Sequence, residues 1–170
     1  SLAENGSAAA ECELGRIAWA EGDLDGARQR FESAAEKGDP AALTDLAHKL
    51  HHRAGRHEGS DAEKLSLFER ASNLGDPRAS FWLSNFYKSQ DPHASHRFLV
   101  RAVSPSSGLF PPDPVACVVY GIQQASLRKF AEAFKFLRMG SRKSPLGKVA
   151  LARLLLSGNV NQEAAAAGID

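Results

Sequence analysis

The segment from Phe31 to Ala47, FESAAEKGDPAALTDLA, returns at Phe68 to Ser84 as FERASNLGDPRASFWLS. Phe, Glu, the first Ala, Gly-Asp-Pro, the second Ala and Leu all recur at a constant offset of 37 residues. Asp113-Pro114 falls a further 37 residues on, with Ala116 and Tyr120 in the Ala and Leu places. A fixed period of roughly 20 to 50 residues is the mark of a stacked repeat array, in which one unit cannot bury its own apolar face and must stack on its neighbours.

The repeat is helical. The pattern Ala-x-x-x-Leu-small reads Ala10…Leu14-Gly15, Ala42…Leu46-Ala47 and Ala79…Leu83-Ser84, then more loosely Ala116…Tyr120-Gly121 and Gly147…Leu151-Ala152. Small residues four apart share a helical face and let a neighbouring helix come close. Each of the first four units then offers a second apolar stripe: Phe31/Ala34, Phe68/Ala71, Leu99/Ala102 and Phe136/Met139. Gly38-Asp39-Pro40 and Gly75-Asp76-Pro77 read as helix stop, N-cap and first turn of the next helix. Asp113-Pro114 and Ser144-Pro145 keep the second half of that device. These signals predict helices near 7–21, 24–37, 40–54, 61–74, 77–89, 92–103, 113–126, 128–140 and 145–157. The expected fold is all-α: one solenoid domain over 1–170, with units near 7–38, 39–75, 76–112, 113–143 and a partial unit or cap at 144–170. Ser104 to Pro112, SPSSGLFPP, interrupts the regularity as a Pro/Ser/Gly-rich linker, read as an outer insertion rather than a binding loop.

The join Ala34 to Ala47, AAEKGDPAALTDLA, resembles the junction between consecutive units of the Sel-one-like repeat (SLR) family, relatives of tetratricopeptide repeats. The second unit has that family's length, 22 residues from Leu46 to Phe68, whereas the first, with 17 from Leu14 to Phe31, is similar to an ordinary tetratricopeptide repeat. Leu156-Ser157-Gly158-Asn159-Val160 followed by Glu163-Ala164 resembles the family's inter-helix turn and the start of a second helix. Tyr120-Gly121 and Met139-Gly140 in the fourth unit depart from the consensus. The resemblance implies a right-handed superhelix of antiparallel helix pairs, serving as a protein-binding adaptor.

Several classes of function are excluded or left bare by the rest of the chain. Nothing approaches the roughly eighteen apolar residues of a membrane span. Cys12 and Cys117 lie three units apart, too far for a disulfide, and read as reduced and packed. That favours a cytoplasmic setting; a periplasmic or secreted one stays open if a leader preceded Ser1. No nucleophile elbow, CxxC pair or carboxylate dyad appears, so no catalytic residues and no cofactor are expected. His48, His51, His52 and His57 cluster without a third ligand at fixed spacing, so no metal site is assigned. Gly140 to Lys148, GSRKSPLGK, has too many residues between its glycines for a phosphate loop and reads as an inter-helix turn.

Two candidate surfaces remain. First-helix positions −5, −2, +2 and +5 from the key Leu line the concave side of a tetratricopeptide-like unit. In the first three units they supply Arg16, Trp19, His48, His51, Arg78, Phe81, Asn85 and Lys88, side chains able to hold a protein or peptide partner by hydrogen bonds and aromatic anchors. In the last two they are largely apolar (Val115, Val118, Ile122 and Ala125, then Leu146, Val149, Arg153 and Leu156), which fits burial against further repeats or a partner helix. The second surface follows from charge. The net charge of +1 divides into −5 over residues 1–85 and +6 over 86–170. Arg128, Lys129, Lys135, Arg138, Arg142, Lys143, Lys148 and Arg153 face only Glu132 in their stretch. They form an alternative patch for an anionic polymer or lipid surface. Nucleic acid is the weaker form of that reading, because no aromatics interleave. Exposed repeat ends also offer self-association.

Overall fold

The structure, a computed structural model, describes residues 7–52, 61–104 and 110–158, with the side chains of residues 51 and 52 outside that set. His57, the body of the Ser104–Pro112 linker and the expected cap beyond residue 158 therefore lie outside the described residues. Nine helices and no strand are found among them: α1 (Ala8–Glu21), α2 (Leu24–Glu36), α3 (Ala41–His52), α4 (Asp61–Asn73), α5 (Pro77–Tyr87), α6 (Pro92–Val103), α7 (Pro114–Ser126), α8 (Phe130–Ser141) and α9 (Pro145–Leu156). Helices pack in consecutive pairs, and each pair packs on the next. The molecule is an all-α repeat solenoid, and no described helix is long and apolar enough to cross a membrane.

The 37-residue period is visible as repeated hydrogen bonds. Asp39 N–H donates to Ala34 O at 3.0 Å, and Asp76 N–H donates to Ala71 O at 2.9 Å. Gly38 and Gly75 precede these aspartates, both at φ +99°, a left-handed turn that costs a glycine nothing. Asp39 and Asp76 then cap the next helix, accepting from Ala41 N–H at 3.1 Å and Arg78 N–H at 2.9 Å. At the third junction Asp113 N–H reaches back across the linker to Ala102 O at 3.0 Å. The key Leu to second-helix interval is 22 residues in unit two (Leu46 to Phe68) but 16 in unit three (Leu83 to Leu99). The linker restores the missing six, so it is a detour that closes on the same bond.

Burial follows the two stripes. Phe31, Phe68, Ala34, Ala71, Ala42, Ala79, Leu46 and Leu83 are buried in one core spanning α1 to α5. Phe68 stacks on Trp82 with ring centroids 3.9 Å apart, which knits the second and third pairs. A smaller core joins Leu99, Val103, Cys117 and Phe136, and a third joins Val118, Leu137 and Leu154. The departures in unit four have a steric cause. A Cβ at Gly140 would lie 2.7 Å from Pro114 O and 2.5 Å from Val118 Cγ2, so α8 meets α7 backbone to side chain there. The key Leu is buried at Leu46 and Leu83, but that of unit one, Leu14, is 45% exposed. Leu14 lies with the exposed Ile17 on a face of α1 that no described helix covers.

Candidate functional site

Along the first helices, positions −5 and +2 are exposed or half-exposed in all five units. Position −2 is buried in units one, two and four (Cys12, Thr44 and Val118), half-buried at Phe81 and exposed at Val149, and in units two and four the following first helix covers it. Thr44 Oγ1 donates to Asp76 Oδ2 at 2.6 Å, at the start of α5, and Val118 packs against Gly147 of α9. Cys12 and Cys117 are both free and buried. Burial pushes the Cys117 thiol up to about 11, with Asp113 adding to the shift, so it is protonated at neutral pH.

In the first three units the polar side chains bond to one another. Asp45 of α3 accepts from Arg16 Nη2 of α1 at 2.8 Å, and Arg78 Nη1 of α5 lies 3.3 Å from its other oxygen. One carboxylate thus ties three successive first helices. Arg16 is also paired with Glu13, and Arg78 Nη2 donates to Ala41 O at 3.2 Å. Asn85 Nδ2 donates to Phe81 O of its own helix at 3.2 Å. Trp19 is half-buried with Lys49 Nζ 5.7 Å from the ring centre, and His48 meets the edge of Phe68 at 5.2 Å. Phe81 packs on the Leu99–Phe136 core, and Lys88 is exposed at the end of α5. His51 sits in the last turn of α3, with its side chain outside the described set. Sequence reasoning missed Asp45; its only signal is an acid one residue before the key Leu, with arginines in the units on either side.

The last two units are open. Val115, Ile122, Leu146 and Leu156 are 49, 44, 60 and 88% exposed. Ile122 and Ala125 of α7 and Leu146, Val149 and Arg153 of α9 share a cavity of about 360 Å³, floored by Phe130, Leu137 and Leu154. A second cavity, of about 420 Å³, lies where α5 and α7 begin and α8 ends; it brings Arg78 of the groove row together with Arg142 and Lys143 of the basic stretch.

All eight cations of that stretch are exposed, and none forms an ion pair among the described residues. In the N-terminal half, by contrast, Arg28, Arg30, Lys37 and Arg70 are each paired with a glutamate. Glu132, the one acid in the stretch, forms no ion pair with them among the described residues; its carboxylate accepts from Tyr120 Oη at 3.1 Å. Lys135, Arg138 and Arg142 share one face of α8, and Lys135 Nζ lies 5.4 Å from the Phe136 ring. The GSRKSPLGK segment is the α8–α9 turn, with Ser144 Oγ accepting from Gly147 N–H at 3.3 Å. Among the described residues no three His, Cys, Asp or Glu side chains converge as a metal centre requires.

No family model matches the chain, and no curated protein matches it either. Among solved structures it is similar to the crystal structure of MamA protein, which aligns over 93% of this chain and 86% of its own at 15% identity and a TM-score of 0.44. Likeness at that level carries no argument about family or function.

Proposed function

We propose that the chain is a non-catalytic scaffold of the Sel-one-like repeat kind, which holds a segment of a partner protein along its first helices. The observation that carries this reading is the set of exposed apolar side chains Val115, Ile122, Leu146 and Leu156 on the first helices of the last two units, of which Ile122 and Leu146 line the 360 Å³ cavity. Apolar surface exposed in a row on helices has the form that an amphipathic partner helix covers. The polar row Arg16, Trp19, His48, His51, Arg78, Phe81, Asn85 and Lys88 would orient the rest of the partner, with its arginines already held in place by Asp45. The test is affinity capture from native extract by the wild type and by an Ile122→Asp/Val149→Asp variant. A discrete protein retained at high salt by the wild type and lost from the variant is the expected result. Equal retention by the variant would sink the groove.

The cations that have no ion pair among the described residues favour a second reading, in which Arg128, Lys129, Lys135, Arg138, Arg142, Lys143, Lys148 and Arg153 attract an anionic polymer or lipid surface. Retention on such a surface would fall steeply with salt. Salt-insensitive retention would count against it.

A further inference from the structure

The 420 Å³ cavity joins residues that the sequence assigned to two different surfaces. Its walls are apolar: Pro77 at the start of α5, Phe110 to Pro112 at the end of the linker, and Met139 of α8. Its ionic groups divide into spent and unspent. Arg78 is committed to Asp45, with Asp76 3.6 Å away. Asp76 accepts from Thr44 and from the α5 backbone, and Asp113 accepts from Ala116 N–H at 2.7 Å. Arg142 and Lys143 have neither an ionic partner nor a side-chain hydrogen bond among the described residues, whereas Asp113, also without an ionic partner there, is taken up by its helix cap. An apolar concavity of several hundred Å³ with a few convergent polar groups is the usual form of a ligand site.

We propose that this cavity binds an acidic segment of a partner protein, which seats an apolar side chain among Pro77, Phe110 and Met139 and sets its carboxylates against Arg142 and Lys143. The proposal rests on the scaffold reading for the partner being a protein. Two features select against a dense polyanion. Such a polymer has nothing to fill the apolar wall, and Asp76 and Asp113 would repel charges beyond those that two cations neutralise. The end of the linker thereby gains a use, since Phe110 is one wall of the site.

Met139 is the only methionine in the sequence, so a ¹³C-methyl methionine label gives one internal signal inside the cavity. The probe is the capped peptide Asp-Glu-Phe-Glu-Asp, titrated into the full chain beside Gln-Gln-Phe-Gln-Gln and heparin. The acidic peptide is expected to shift the Met139 methyl saturably, with affinity falling as salt rises. An Arg142→Gln/Lys143→Gln variant with an unchanged melting temperature should bind roughly tenfold more weakly, the size of a lost charge-assisted contact. An unmoved signal, an equal response to the neutral peptide, or a response to heparin alone would each overturn the proposal. The Ile122→Asp/Val149→Asp variant should keep the Met139 response in full. Loss of groove capture and loss of this response are therefore separate results.

Discussion

At Arg128 the backbone does what glycine does elsewhere in the chain. Its φ is +60°, while the other turns of this hand carry Gly22, Gly38, Gly75 and Gly158. Arg128 N–H donates to Ala125 O and Lys129 N–H to Gln124 O, both at 3.0 Å, the same pair of bonds that Gly38 and Asp39 make. The turn is thus the same device built from a residue that resists it, since a side chain in the left-handed region costs about 1 kcal/mol or more. Arg128→Gly is accordingly expected to raise stability by about 1 kcal/mol, read as a higher urea midpoint with an unchanged slope. An unchanged or lowered midpoint would show that the arginine stem contributes packing that outweighs the strain.

Between elements, buried charge decides how the first pair is joined. Glu11 of α1 is buried and accepts from Lys37 Nζ, at the C-cap of α2, at 2.7 Å and from Arg30 Nη1, within α2, at 3.1 Å. Its hydrogen bonds to Lys37 and then Arg30 hold its carboxyl below the usual range. A carboxyl so depressed contributes stability that is present above the ordinary carboxylate pKa and is lost as pH falls through the folded value. Wild type should therefore melt above Glu11→Gln at neutral pH, and the gap should close as pH drops through the acid range. A gap independent of pH would mean that the carboxylate charge plays no part. At this scale the sequence was readable where local chemistry decides. Gly-Asp-Pro named the junctions, and the start and end of every described helix fell within two residues of expectation. What escaped it depends on distance in space. Asp45 matters because two arginines from other units reach it, and Leu14 is exposed because burial belongs to the neighbour rather than to the residue. The six-residue exchange between the short third-unit turn and the long linker was hidden because the period of 37 survives it.

Across the whole molecule, a repeat array is close to one-dimensional: each pair is stabilised by itself and by its neighbours, so damage should stay local. The cores divide accordingly, one running from α1 to α5 and two smaller ones over α6 to α9. Gly140 lies at the α7–α8 contact, where an added methyl would meet backbone at Pro114 O and cannot be relieved by a rotamer change. Gly140→Ala is therefore expected to cost about 1–3 kcal/mol through overpacking. The loss should not be shared evenly. Hydrogen exchange should quicken in α7, α8 and α9 while α1 to α4 keep their protection, and the apolar row with the 360 Å³ cavity should loosen with the C-terminal cores. Uniform loss of protection along the chain would instead mean that the array unfolds as one cooperative block. The two candidate surfaces would then stand or fall together rather than as separate parts of a modular array.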